Sequence, residues 1–205
     1  MSESARRKAT YEDLLGLPPD VVGEIIDGEL SVLPRPAPLH ASTASVLTGD
    51  LRPFSRTGGG GGSGRWRILA EPEIHLEGDI VVPDLAGWRR ERMPLLPPTA
   101  FFTLPPDWIC EVLSPSTVRV DRTKKKRIYA RHRVEFLWLV DPWAQTLEVL
   151  RLVGDFWQEI AVHGGDERVR AMPFEAIELD LGQWWEEVEP GGMSDDCYPK
   201  GRPHE

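Results

Sequence analysis

The stretch Phe136-Leu137-Trp138-Leu139-Val140 carries no polar residue and is closed by Asp141-Pro142. A run of this kind reads as a strand covered on both faces, which places it in the interior of a sheet. A second short apolar run, 109–113, lies upstream in the sequence Asp107-Trp108-Ile109-Cys110-Glu111-Val112-Leu113-Ser114-Pro115-Ser116-Thr117. Between the two runs, Ser116 or Thr117 is placed to cap a helix from about Val118 to Arg131. Strand, helix and strand in this order form a crossover. Hairpins beside a crossover helix imply a mixed sheet in an α/β or α+β domain.

The flanking segments supply the hairpins. Thr10 caps a short helix in "YEDLLGL", ended by Gly16 and Pro18-Pro19. Asp27-Gly28 is a hairpin turn between two alternating runs in "VVGEIIDGELSVLP". Pro34, Pro36 and Pro38 force an extended connection. Ala44, Leu47 and Leu51 share a helical face between His40 and about Arg52, and Pro53 is expected to end that helix. "RWRILAEPEIHL" reads as a strand interrupted at Pro72, and Gly78-Asp79 turns the chain into "IVVPDLAGW". "TLEVLRL" and "FWQEIAV" form a hairpin around Val153-Gly154-Asp155. The core order is helix, strand, strand, strand, helix, strand, with an extra hairpin at each end. One domain is expected over residues 10–188, with a polar lead-in at 1–9 and a disordered tail at 189–205. The glycine tract 57–64 reads as a mobile loop. As a phosphate-binding loop it lacks the required lysine, because Ser63-Gly64-Arg65 stands where Gly-Lys-Ser/Thr is needed.

Composition narrows the function. A formal net charge of -9 over 205 residues argues against a generic nucleic-acid coat or a membrane-surface binder, without excluding a local basic site. The cysteines, Cys110 and Cys197, are far apart. They suit a reducing compartment and fit neither a disulfide framework nor a zinc site. No apolar run approaches the ~20 residues that span a bilayer, and "MSESARRKAT" lacks the apolar segment of a signal peptide. A cytoplasmic location is expected.

Glu111 poses the chemical question. A carboxylate inside an apolar strand either faces solvent or is neutralised by a neighbour, since burying it alone costs several kcal/mol. Asp84 follows Pro83 in "VVPDLAGW", and a proline in a strand marks an edge or a bulge, a common way to re-aim a side chain at an active site. Downstream, residues 119–133 hold eight Lys or Arg against the single acid Asp121. Two carboxylates on neighbouring strands tolerate close approach when a cation sits between them. Magnesium takes one or two carboxylates together with waters and phosphate oxygens.

These segments together carry a resemblance. "GEIIDGEL", "PRPAPLH", "VVPDLA", "ICEVLSPST" and "DRTKKKRIYARHRVEFLWLVDP" resemble the Uma-type restriction-endonuclease-like family of the PD-(D/E)XK nuclease superfamily, over roughly residues 10–185. The resemblance implies a restriction-endonuclease-like mixed sheet flanked by helices, and metal-dependent hydrolysis of phosphodiester bonds in nucleic acid, DNA above all. It implies Asp84 and Glu111 as the metal-binding acids, the backbone carbonyl of Val112 as a further ligand, Mg2+ or Mn2+ as the ion, and a homodimer. The superfamily lysine two residues after the second acid is replaced here by Leu113. Lys125 matches the lysine that this family places on the next helix instead. By helical spacing Arg122, Lys125 and Tyr129 share a face; Arg122, Lys124 and Lys126 are candidates for nucleic-acid contact. His40, which matches a recurrent histidine of the family pattern, and Glu29 are possible additional site residues.

The plainer readings are a solvated basic helix, a Lys125 that only pairs with Asp121, a Glu29 exposed on its hairpin, and Tyr129 with Trp108, Trp138 and Trp143 as core or interface aromatics. Cys110 points away from Glu111, to the opposite face of the strand. The rival functions are a catalytically silent nucleic-acid-binding module and a protein-partner module on a nuclease-like fold.

Overall fold

The computed structural model describes residues 7–34, 36–56 and 64–185. The glycine tract up to Ser63 and the tail from 186 onward, expected to be a mobile loop and a disordered terminus, lie outside the described residues.

The crossover unit forms as its sequence predicts. Strand β7 (Trp108–Val112) and strand β8 (Phe136–Asp141) pair in parallel. The helical segment between them is continuous: α3 (Val118–Val120), a π turn (Asp121–Lys125) and α4 (Lys126–Arg131). They sit in a six-stranded sheet of order β10-β9-β8-β7-β6-β3, in which the β7–β8 pair is parallel and the others antiparallel. Its remaining strands are β3 (Trp66–Ala70), β6 (Leu85–Arg89), β9 (Thr146–Val153) and β10 (Phe156–Gly164). The mixed sheet flanked by helices expected from the sequence is therefore present.

Alternation along the central strands divides the interior into two cores. Cys110, Val112, Phe136, Trp138 and Val140 face helix α2 (Pro38–Ser55), where Leu47, Leu51 and Phe54 pack with Phe174 and Trp184. Ile109, Leu113, Leu137 and Leu139 face the other way, onto Ile128 and Tyr129. Burial on both faces is why β8 contains only apolar residues until Asp141. Glu111 belongs to the second face, opposite Leu139.

Two expectations are corrected. Helix α2 runs through Pro53 to Ser55 rather than ending before it. Proline removes one backbone donor, but Phe54 is buried against the ring of Phe174 and holds the last turn in place. The interrupted strands are also not single strands. Residues on either side of each break join different sheets. Strands β4 (Ile74–Leu76) and β5 (Asp79–Val81) pair with each other, and β5 adds to the N-terminal hairpin of β1 (Val21–Ile26) and β2 (Glu29–Pro34). The result is a second, four-stranded sheet of order β2-β1-β5-β4. The chain leaves the larger sheet at Glu71, whose φ is +46, and returns to it across Val82-Pro83-Asp84. The hairpin turn at Asp27-Gly28 has positive φ at both residues, 54 and 79, as the Asp-Gly pair favours. The short helix α1 (Tyr11–Leu15) has the expected Thr10 cap, closed by Asp13 in a capping box.

Candidate active site at the seam between the sheets

Asp84 stands at the return point. Adjacent residues Leu85 and Cys110 are partners in the β6–β7 ladder, so one further step sets Asp84 opposite Glu111. Both of its oxygens are engaged. Oδ1 lies 2.6 Å from His40 Nε2, and Oδ2 accepts the Val112 amide at 2.7 Å. His40 is in the first turn of α2, begun by Pro38 at a position where the missing N–H is not needed. The helix start and the end of the sheet are thereby tied together through one carboxylate.

Glu111 is neutralised by protein groups. Lys125 Nζ lies 3.0 Å from its Oε1, and the Tyr129 hydroxyl donates to the same oxygen. Lys125 also reaches Glu24 Oε1 at 3.0 Å and Asp121 Oδ1 at 3.4 Å. Glu24, on β1, is fully buried; its Oε1 accepts the Val82 amide at 2.8 Å. Its other oxygen, Oε2, is buried with no partner among the described residues. A single ammonium thus serves three buried carboxylates, with Asp84 beside them.

The electrostatic consequence is strong coupling. Burial pushes the Glu111 carboxyl well above the usual glutamate range; Lys125 pulls it down, while Asp121, Asp84 and Glu24 push it further up. Burial also raises Asp121, against Lys125 and a hydrogen bond from Thr117. For Lys125, burial disfavours the charge, but Glu111 and Glu24 outweigh it and hold the ammonium well above the ordinary lysine value. Burial raises the Tyr129 hydroxyl too, with Glu111 adding to it, so it stays a donor.

The local helix geometry sets this up. Asp121 and Lys125, four residues apart at the two ends of the π turn, are both buried and line the cleft. Arg122, placed beside Lys125 by α-helical spacing, instead pairs with Glu148 of β9 at 2.9 and 2.5 Å. The predicted shared face therefore holds for Lys125 and Tyr129 but not for Arg122. Lys124 is 3.1 Å from Glu29, and Glu29 is two-thirds exposed on the hairpin, away from the cluster. Lys126 is half-buried, its carbonyl accepting Trp157 Nε1.

A cleft of about 490 Å3 opens onto these groups. His40, Asp84, Glu111, Asp121 and Lys125 form its polar wall; Val22, Leu33, Leu39, Pro115 and Trp143 supply apolar lining. Among the described residues no three Asp, Glu, His or Cys side chains form a ready-made metal cage. Magnesium does not require one, because it keeps waters and uses one or two carboxylates. Asp84, Glu111 and Asp121 line the cleft against the one ammonium of Lys125, and this surplus of carboxylate oxygens is the chemical fit for a divalent ion here.

Sequence reasoning placed Asp84, Glu111, Lys125 and His40 in what proves to be one cleft. It missed Glu24, left Asp121 as a helix-stabilising partner and read Tyr129 as a packing residue. Glu24 carried the same signal as Glu111, an acid between apolar residues in "VVGEII". A two-stranded hairpin ordinarily keeps one face wet, which hid that signal; in the fold Lys125 and the Val82 amide cover Glu24.

The mixed multi-strand sheet flanked by helices is a nuclease-like fold. Residues 9–182 match the model of the Uma2 family, described as "Putative restriction endonuclease". The chain belongs to that family. Among solved structures it is similar to "a putative nuclease belonging to DUF820 from Anabaena variabilis ATCC 29413", at 24% identity and a TM-score of 0.65, over 86% of this chain and 97% of that one. No curated protein matches it.

Proposed function

We propose that this chain is a metal-dependent endonuclease that hydrolyses phosphodiester bonds, with DNA as its substrate. The observation that carries this reading is the convergence of Asp84, Glu111 and Lys125 on one cleft from a sheet break, a strand and a helix. Asp84 and Glu111, with the carbonyl of Val112, would hold Mg2+ or Mn2+. Bound there, such an ion polarises a phosphoryl oxygen and lowers the pKa of a coordinated water. Lys125 supplies positive charge for the phosphate as negative charge develops on it. Glu24 and Asp121 also hold the ammonium, at 3.0 and 3.4 Å. His40 and the Val112 amide fix the Asp84 carboxylate. The apolar wall lowers water access, which strengthens every charge interaction in the cleft.

The test separates metal binding from chemistry. Calorimetric titration with Mn2+ should show binding to wild type and to Lys125→Met, but not to the Asp84→Asn/Glu111→Gln double variant. Plasmid cleavage should occur only in wild type. A wild type that neither binds either ion nor nicks DNA would refute the reading. We also infer a homodimer, by analogy with nuclease domains that address two strands, to be checked by light scattering.

One observation favours a second reading. Lys125 already neutralises Glu111 without an ion, so the cluster is also consistent with a silent binding module on a nuclease-like fold. In that case metal ions would leave both stability and DNA unchanged.

A further inference from the structure

The basic run 119–133 looked like the nucleic-acid surface, yet the fold neutralises most of it. Arg122 pairs with Glu148, Lys124 with Glu29, Arg127 with Asp27, Arg131 with Asp79 and Arg133 with Asp155, while Lys125 is enclosed by three acids. The cleft itself is acidic. A polyanion is repelled by it unless cations elsewhere hold the strand.

Those cations stand at the opposite end of α2. Arg52, Arg56, Arg65, Arg67 and Arg90 form no ion pair with a carboxylate among the described residues. They are gathered by short contacts. The Arg90 amide donates to the Arg65 carbonyl at 2.8 Å, and Arg90 Nη2 donates to the Ser55 carbonyl at 2.8 Å. The Arg56 amide donates to the Arg52 carbonyl at 3.2 Å. Arg52, Arg56 and Arg65 are exposed, and Arg90 Nε is buried without a partner among the described residues. Helix stability explains part of this: Arg52 lies in the last turn and Arg90 caps a terminal carbonyl, where the helix dipole favours cations. Arg67 is spent on the carbonyls of Met93 and Pro94. Arg56 and Arg65 have no such task. Their neighbours Arg89 and Arg92 are paired to Asp107 and Glu135 and do not add to the free charge. Asp50 is engaged by Trp184 Nε1.

We propose that Arg52, Arg56, Arg65 and Arg90 form an exosite for the phosphate backbone of the nucleic acid whose scissile bond enters the cleft. The identity of that ligand rests on the function proposed above. The two regions are joined by one rigid element. From His40 to Arg52 and Arg56, a rise of 1.5 Å per residue gives roughly 18–24 Å. This corresponds to about 5–7 base pairs at 3.4 Å each. Duplex held on the arginines would present a phosphodiester to the cleft one half-turn or so away.

The experiment is fluorescence anisotropy of a 20-base-pair labelled duplex in EDTA, over a series of salt concentrations. Each phosphate contact contributes about 0.9 to the slope of log affinity against log salt. Arg52→Gln/Arg56→Gln/Arg65→Gln should lower that slope by roughly 2–3 and weaken binding by about tenfold or more. The triple lysine variant should retain most of both. Hydrolysis of bis(4-nitrophenyl) phosphate with Mn2+, which needs only the cleft, should match wild type in both variants. The exosite is overturned if the glutamine variant keeps the wild-type slope, if wild type binds no duplex, if polyglutamate binds as tightly as DNA, or if Arg119→Gln/Lys126→Gln removes the slope instead. The two proposals fail separately. Metal-dependent cleavage with an unchanged slope removes the exosite alone. Arginine-dependent binding without cleavage removes the nuclease reading and leaves the arginines standing as a phosphate-backbone surface with no scissile bond to present.

Discussion

Replacing Lys125 by methionine tests the electrostatic heart of the cleft, because it removes one charge and keeps most of the side-chain volume. The ammonium is 5% exposed and lies within 3.4 Å of Glu24, Glu111 and Asp121. Removing one partner from a buried charge pair costs roughly 3–5 kcal/mol. For a domain of this size that lowers Tm by roughly 6–20 °C. The cost should depend on pH, and its sign follows from the carboxyls. Glu111 and Asp121 already lie above their usual range through burial, and Lys125 is what pulls them down. Without it their folded-state pKa values rise further, so the native state binds more protons than the unfolded chain. Stability then falls as pH rises above the unfolded carboxyl range, by about 1.4 kcal/mol per pH unit for each proton held only in the fold. Urea denaturation in EDTA at pH 5.5 and pH 8 should therefore show the larger loss at pH 8. A variant as stable as wild type, or one losing equally at both pH values, would refute the claim that this ammonium neutralises the cluster.

Other outcomes follow from single contacts. Tyr129→Phe deletes the hydroxyl that donates to Glu111, and chemical denaturation should show a loss of about 2 kcal/mol, the range for hydrogen bonds to charged groups. Phe174 is fully buried against the rings of Phe54, Trp66, Trp108 and Trp138; Phe174→Ala should cost roughly 3–5 kcal/mol by the same measurement. Gly49 lies exposed inside α2 with open space at its Cβ position, so Gly49→Ala should raise stability by about 1 kcal/mol in thermal melts. Pro53→Ala restores a backbone donor inside α2 and should stabilise by roughly 1–3 kcal/mol, unless Phe54 loses its seat against Phe174.

Local chemistry decided much of this protein. The apolar run at 136–140 read as an interior strand and is one, and a helix follows Thr117 as expected, although neither Ser116 nor Thr117 caps it through a side chain: the Thr117 and Val118 amides bond to the Ser114 carbonyl instead. Asp27-Gly28 and Gly154 set the hairpin turns, because those residue types tolerate positive φ, and Pro83, which cannot donate to a ladder, marks the break before Asp84. The acids of the cleft were visible as polar residues in apolar strands, and the order of motifs carried the family.

What the sequence left open was which groups face each other. Helical spacing offered Lys125 two neighbours, Arg122 and Asp121; the fold pairs it with Asp121 and turns Arg122 to Glu148. No local signal could show that the halves of each interrupted strand join different sheets, because strand pairing depends on residues far apart in the chain. That pairing buries Glu24 beside Lys125. Nor does a count of charges reveal that most of the basic run is paired with acids while the arginines at the end of α2 have no acidic partner among the described residues. Burial and partner choice arise only when distant segments pack, and in this chain they determine which carboxylates share a cation and which cations remain for a ligand.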